Sequence, residues 1–240
     1  VPRMSDMWHE ERLYIDGELV DAEGGKVYDN VNPATEAVIG VAADASEEDV
    51  RRAIGAARRA FDETEWSTDV ALRARCLRQL HHAELGDILV AEVGAPRVLL
   101  DGPQLGVPRD YLTFYADLAE DYGWTTDLGR ADTLGGPANR WIEREAAGVV
   151  AAITPRNYPT QINLAKIAPA LAAGCTVVLK PAPDTPWSAL ALGKLAAEHT
   201  DLPPGVLNIV SSAVKEIGEV LTTDDRIDMV SFTGSTAVGR

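Results

Sequence analysis

Ile167-Ala168-Pro169-Ala170-Leu171-Ala172-Ala173-Gly174, followed at once by Thr176-Val177-Val178-Leu179-Lys180, is the stretch that decides the fold. The first segment is small and apolar at helical spacing, and Gly174 stands where a helix has to stop. The second is apolar on nearly every position, so a strand made from it has no face that can meet water. A helix that feeds a strand covered on both sides is the repeating unit of a parallel sheet.

Three further runs, Gly148 to Thr154, Val206 to Val210 and Met229 to Phe232, have the same character, each separated from the next by a helical pattern. Thr185-Pro186 predicts an N-cap and first-turn proline ahead of Leu190, Ala191, Leu195 and Ala197, while Pro169 is expected to kink the preceding helix. The fold class is therefore α/β, a doubly wound parallel sheet. Earlier in the chain, Leu13 to Val41 reads as short strands and turns, with Asp16-Gly17 a hairpin signal and Asn32-Pro33 a turn. Ser46-Glu47-Glu48-Asp49 is close to a capping box and opens a helix with Val50, Ala53, Ile54, Ala57, Ala60 and Phe61 at helical spacing. A second helix is expected from about Val70 to His82, and a third carries Tyr111, Phe114, Tyr115, Leu118 and Tyr122 on one side. No regular pattern spans His82 to Val107. Gly135-Gly136-Pro137 is turn chemistry, and Arg140 to Glu145 alternates weakly, as an exposed strand or arm.

The 240 residues are 46% hydrophobic and 25% charged, ordinary globular material. A net charge of -15, with no Lys/Arg run longer than two, argues against nucleic acid as a partner. Two cysteines, Cys76 and Cys175, make no disulfide framework, and no apolar stretch approaches the roughly 18 to 20 residues of a membrane span. A reducing cytoplasm is the simplest home, and no metal site is expected. Val1-Pro2-Arg3, ahead of Met4, reads equally as the remnant of a cleaved tag or as a native tail.

Four features lie at or beside the ends of expected strands, where open α/β sheets bind ligands. In Ile153-Thr154-Pro155-Arg156-Asn157-Tyr158-Pro159, an Asn held between prolines can offer its amide to an oxygen that gains charge, or can simply be a turn residue. Val177-Val178-Leu179-Lys180-Pro181 delivers one Lys to the sheet edge, either to grip ribose hydroxyls or phosphate or as a solvated charge. Leu202-Pro203-Pro204-Gly205-Val206 is a tight entry into the third strand. Phe232-Thr233-Gly234-Ser235-Thr236-Ala237-Val238-Gly239 is a small-residue bend from a strand into a helix, of the kind that suits a pyrophosphate, though it is not the G-x-G-x-x-G fingerprint.

The order and spacing of these motifs resemble the aldehyde dehydrogenase superfamily. The similarity extends to Tyr14-Ile15-Asp16-Gly17, Asn32-Pro33-Ala34-Thr35, Asp49-Val50 through Ala60-Phe61, Ile153 to Pro186 and Val230 to Gly239. The resemblance implies a Rossmann variant with an N-terminal helix and strand segment and a protruding oligomerisation arm. Residues 1–127 would form the N-terminal part of the cofactor-binding domain, 128–147 the arm and 148–240 the NAD(P)-binding βα units, with the catalytic domain absent. It also implies oxidation of an aldehyde to a carboxylic acid with NAD or NADP, NAD slightly favoured, through a cysteine thiohemiacetal. Asn157 matches the family's oxyanion-hole asparagine, Lys180 the lysine on the adenosine ribose, and Gly234 and Ser235 the pair beside the pyrophosphate. Phe232, Gly205 and Val238 match positions around the adenine end; Ile153, Thr154, Pro155 and Arg156 line the route to the nicotinamide, and Ala182 and Pro183 complete the cofactor set.

The family's Glu-Leu-Gly-Gly and Gly-Gln-x-Cys motifs are expected beyond the equivalent of Arg240. Cys175 enters a buried strand and Cys76 lies in a helix, so neither replaces the nucleophile. An oxyanion donor is worth about 2.7 to 4 kcal/mol, whereas losing a nucleophile costs on the order of a millionfold in rate, so Asn157 alone makes no dehydrogenase. The sequence departs from the family where Arg156 replaces the usual Trp, where Pro183 replaces the Glu of NAD-preferring members, and where Ser211-Ser212 replaces a glycine-containing turn. Arg156 is expected to face the cofactor phosphates. Alternatives within this reading are a non-catalytic nucleotide-binding half-protein and an acylating or phosphate-releasing relative. A homo-oligomer, dimer or tetramer, is implied by resemblance alone, and the aldehyde is unspecified, with Thr160, Gln161, Asn163 and Leu164 the visible candidates to touch it.

Overall fold

The computed structural model describes residues 9–82 and 85–239, so Val1-Pro2-Arg3 and Arg240 lie outside the described residues. Short strands β1 (Leu13–Ile15) and β2 (Glu18–Val20) form the hairpin that Asp16-Gly17 signalled, followed by β3 (Val27–Val31) and β4 (Val38–Ala43). Helices α1 (Glu47–Glu63), α2 (Val70–Leu80), the single turn α3 (Gly86–Ile88) and α4 (Gly106–Asp121) precede a second hairpin, β5 (Thr125–Thr133) and β6 (Gly136–Glu143). The chain then alternates β7 (Val149–Ile153), α5 (Pro159–Ala172), β8 (Thr176–Lys180), α6 (Trp187–His199), β9 (Leu207–Ile209), α7 (Ile217–Thr223) and β10 (Met229–Phe232).

The main sheet runs β10-β7-β8-β9-β1-β2, with its first four strands parallel and the β1–β2 hairpin added antiparallel on β9. That antiparallel edge was not foreseen from sequence. Because side chains alternate along a strand, an all-apolar strand feeds two cores. Val149, Ala151 and Val178 pack against α1 and α7 through Val50, Ile54, Ala57 and Leu221. Val150, Ala152, Val177 and Leu179 face the opposite side, where α5 and α6 lie with α2 and α4 behind them.

Local chemistry explains the element ends. Ser46 Oγ accepts from Asp49 N at 3.1 Å and Asp49 Oδ2 accepts from Ser46 N at 3.0 Å, a complete capping box at the start of α1. Gly174, at a φ of 90°, turns the chain out of α5 into β8. The kink expected at Pro169 is not seen: α5 runs unbroken to Ala172.

The outer layer is formed by α4 and the turns that precede it. In α4 the buried face is Pro108, Leu112, Ala116 and Ala119, whose small side chains let the helix sit close on α2 and α5. Of the aromatic side, Phe114, Leu118 and Tyr122 are exposed, while Tyr111 and Tyr115 are half-buried against the core. Between His82 and Val107 the described residues form short helical turns, two of them of wide π type, rather than regular helix. Among the described residues β5 and β6 pair only with each other, and Leu128, Trp141 and Ile142 on them are exposed.

Candidate functional site

The parallel ladder brings the expected motifs to one edge. Ile153 lies opposite Lys180 on one side and opposite Phe232 on the other. Thr154 N donates to Lys180 O at 3.2 Å and Thr233 N to Ile153 O at 3.0 Å, so the loops after β7, β8 and β10 leave the sheet from a common line. Val210 N donates to Leu179 O at 3.0 Å, which sets the turn after β9 beside them. This is the carboxyl edge of the parallel strands.

On the β7 loop, Thr154 is buried and its hydroxyl donates to Asn163 Oδ1 at 2.7 Å, tying the strand end to α5. Pro155 is half-buried and Asn157 is exposed. The Asn157 carbonyl accepts from the buried Gln104 Nε2 at 3.4 Å, a contact with the turn before α4 that sequence did not reveal. The Arg156 guanidinium does not project freely: its Nη1 meets Asp184 Oδ2 at 2.9 Å, with the two side chains 72% and 59% exposed. Thr160, Asn163 and Leu164, expected to reach substrate, are buried in the packing of α5, and only Gln161 of the four is half-open.

On the β8 loop, Lys180 is 6% exposed, and burial pulls its ammonium below the usual lysine range while Asp44 pulls the other way. No carboxylate lies within ion-pair distance of it among the described residues. A buried cation without a bonded counter-ion at a loop-lined edge suits an oxygen-rich ligand, so the residues present fit a dinucleotide. Half-buried Ala182 and Pro183 follow, within a segment stiffened by Pro181, Pro183 and Pro186.

Thr185 was expected to cap α6, but its hydroxyl is buried and unbonded. The cap comes from Glu92, which is 2% exposed and accepts from Trp187 N at 2.9 Å and Ser188 N at 2.7 Å. Asn30 Nδ2 donates to the same carboxylate at 3.1 Å. Burial pushes the Glu92 carboxyl up to about 7 against these hydrogen bonds, which favour the charged form.

After β9, Ser211 Oγ donates to Ala43 O at 2.7 Å and Ser212 Oγ to Asp44 Oδ1 at 2.7 Å. Hydroxyls thus pin this turn to the end of β4, which accounts for two serines where a flexible glycine turn was expected. Gly205 does not belong to the edge. It sits before β9, at the amino end of the strand, at a φ of 82°, and a Cβ there would overlap the Ala56 carbonyl of α1. Its role is close packing. After β10, Phe232 is half-buried and Gly234 lies against its ring so closely that a Cβ would overlap it. Ser235 and Val238 are exposed, in a single turn closed by Gly239 N to Ser235 O at 3.1 Å.

Neither cysteine lies open at the edge. Cys76 is buried in α2, where burial pushes its thiol up to about 12, and Cys175 is buried with its carbonyl accepting from Trp66 Nε1 at 2.9 Å. Among the described residues no helix is long and apolar enough to cross a membrane.

A mostly parallel sheet with helices on both faces and its loops gathered at the carboxyl edge defines a Rossmann-type α/β protein. Residues 19–240 match the model of the aldehyde dehydrogenase family, and the chain belongs to that family. It is 39% identical to a 3-succinoylsemialdehyde-pyridine dehydrogenase of Pseudomonas sp., over 95% of this chain and 47% of that protein. It is 37% identical to an aminoacetaldehyde dehydrogenase of Pseudomonas aeruginosa, over 96% of this chain and 47% of that protein. Among solved structures it is similar to the NAD+ complex of an aldehyde dehydrogenase from Bacillus cereus, with a TM-score of 0.87 and 34% identity over 96% of this chain and 47% of that one. The chain therefore spans about half the length of the relatives it matches.

Proposed function

We propose that this chain is the cofactor-binding half of an NAD(P)-dependent aldehyde dehydrogenase. Residues 148–240 provide the dinucleotide site, 1–127 its supporting layer and 128–147 an arm for assembly of a homo-oligomer. The observation that carries the reading is the alignment of Ile153, Lys180 and Phe232 at one edge, with Lys180 6% exposed and no carboxylate paired with it among the described residues. Lys180, beside Ala182 and Pro183, binds ribose hydroxyls; Gly234 and Ser235 hold the pyrophosphate; Phe232 and Val238 border the adenine end. Ile153 to Arg156 line the way to the nicotinamide.

Asn157, exposed with no side-chain hydrogen bond among the described residues, donates its amide to the oxygen that gains charge when an aldehyde is attacked. The chemistry the dinucleotide supplies when bound is acceptance of hydride. The attacking thiol comes from outside these 240 residues, because both cysteines here are buried, and by family resemblance the general base lies outside them too. NAD+ is the favoured cofactor, as in the Bacillus cereus complex. NADP+ remains a competitor, because Pro183 offers no carboxylate to repel a 2′-phosphate. The two named relatives act on different aldehydes, so the substrate is proposed only as an aldehyde.

Titration of the chain with NAD+ and NADP+ by calorimetry tests the reading. Saturable binding of both is expected, with NAD+ the tighter by less than tenfold and with Lys180→Ala at least fivefold weaker for each. Absence of saturable binding, or full affinity in Lys180→Ala, would refute this site.

A further inference from the structure

The β8–α6 segment carries the lysine and prolines assigned to the cofactor, yet no side chain inside it caps the start of α6. Pro186 has no amide, Thr185 Oγ1 is buried without a partner, and the first free amides, Trp187 N and Ser188 N, are buried. Both go to Glu92, whose two carboxylate oxygens divide them at 2.9 and 2.7 Å. Asn30 on β3 holds that carboxylate from the other side at 3.1 Å, and no cation is paired with it among the described residues. With three prolines in the six residues from Pro181 to Pro186, and Thr185 N turned onto Ala182 O at 3.1 Å, the segment acts as a strut between Lys180 and Trp187. Its exposed shoulder, Asp184, meets Arg156 on the loop that presents Asn157.

We propose that Glu92 is a positioning residue for the nucleotide site, clamping the amino end of α6 so that the Lys180–Pro186 strut is held where the ribose end of the cofactor meets it. The inference rests on the dinucleotide reading above and adds a residue from a distant turn that touches no ligand. It predicts that binding follows the carboxylate at position 92 rather than general stability.

The test compares wild type, Glu92→Gln, Glu92→Asp and Leu77→Ala, the last a core substitution in α2 away from the strut, by NAD+ titration and by amide hydrogen exchange. Glu92→Gln is expected to bind NAD+ at least fivefold more weakly and to exchange at least tenfold faster at Trp187 and Ser188. Glu92→Asp keeps a carboxyl group and recovers part of both losses, and Leu77→Ala binds as wild type although it melts lower. If Glu92→Gln does not fold, the Glu92→Asp comparison with Leu77→Ala decides alone: affinity reduced only in the former supports the proposal. Wild-type affinity in both position-92 variants, or an equal loss in Leu77→Ala, overturns it. A wild-type chain that binds no NAD+ refutes the site reading itself, and is seen before any variant is compared.

Discussion

Arg156 and Lys180 are two cations on neighbouring loops with different surroundings, and the difference sets what each can do. Arg156 is exposed and already paired with Asp184, an interaction worth about 0 to 1 kcal/mol in water. Arg156→Ala is therefore expected to change NAD+ affinity less than about threefold; a tenfold loss in calorimetric titration would mean that the guanidinium leaves Asp184 to meet the phosphates, as its position in the sequence first suggested. Lys180 is buried without such a partner, so its removal is the costly one. Arg73 is a third case. Its guanidinium is 1% exposed and donates to the carbonyls of Ala172, Trp66 and Ser67, at 3.0, 3.1 and 2.8 Å, fastening α2 to the end of α5. Arg73→Met leaves buried acceptors unmet and is expected to cost on the order of 3 kcal/mol in urea unfolding while leaving dinucleotide affinity unchanged among folded molecules.

At the scale of elements, the helices and strands whose signal is local were legible. The Ser46–Asp49 box, the Gly174 stop and the apolar runs of β7, β8 and β10 all follow from residues a few positions apart. Contacts between distant segments were not. Glu92 caps α6 from 95 residues away, so Thr185-Pro186 read as a self-sufficient helix start when it is not. The Glu92 cap also has a pH signature. Its carboxyl is raised from 4.5 to about 7, so the folded state holds the proton where the unfolded chain has lost it. This group's contribution is fully present below about pH 4.5 and is lost as pH rises through about 7, a change on the order of 3 kcal/mol. Comparing unfolding free energies at pH 5 and pH 8, the wild type is expected to fall more steeply than Glu92→Gln; parallel slopes would mean that Glu92 titrates normally.

For the molecule as a whole, the order of the parallel strands does most to assemble the edge. Placing β7 between β8 and β10 puts Ile153 beside both Lys180 and Phe232, and this was readable because each motif follows its own apolar run. Gly205 is the complementary case: Pro203-Pro204-Gly205 precedes its strand, so the same topology carries it to the opposite end of the sheet, against α1. The β1–β2 hairpin was marked locally by Asp16-Gly17, but its pairing with β9, and the Ser211 and Ser212 hydroxyls that tie β9 to β4, depend on contacts across most of the chain and left no local mark. The central claim is that the carboxyl edge holds a dinucleotide, and amide hydrogen exchange with and without saturating NAD+ tests it most directly. Protection is predicted in three separate segments, at Thr154 to Asn157, Lys180 to Asp184 and Phe232 to Val238, with Gly205 and the β5–β6 hairpin unchanged. Protection confined to the amino ends of the strands, or to the hairpin, would contradict it.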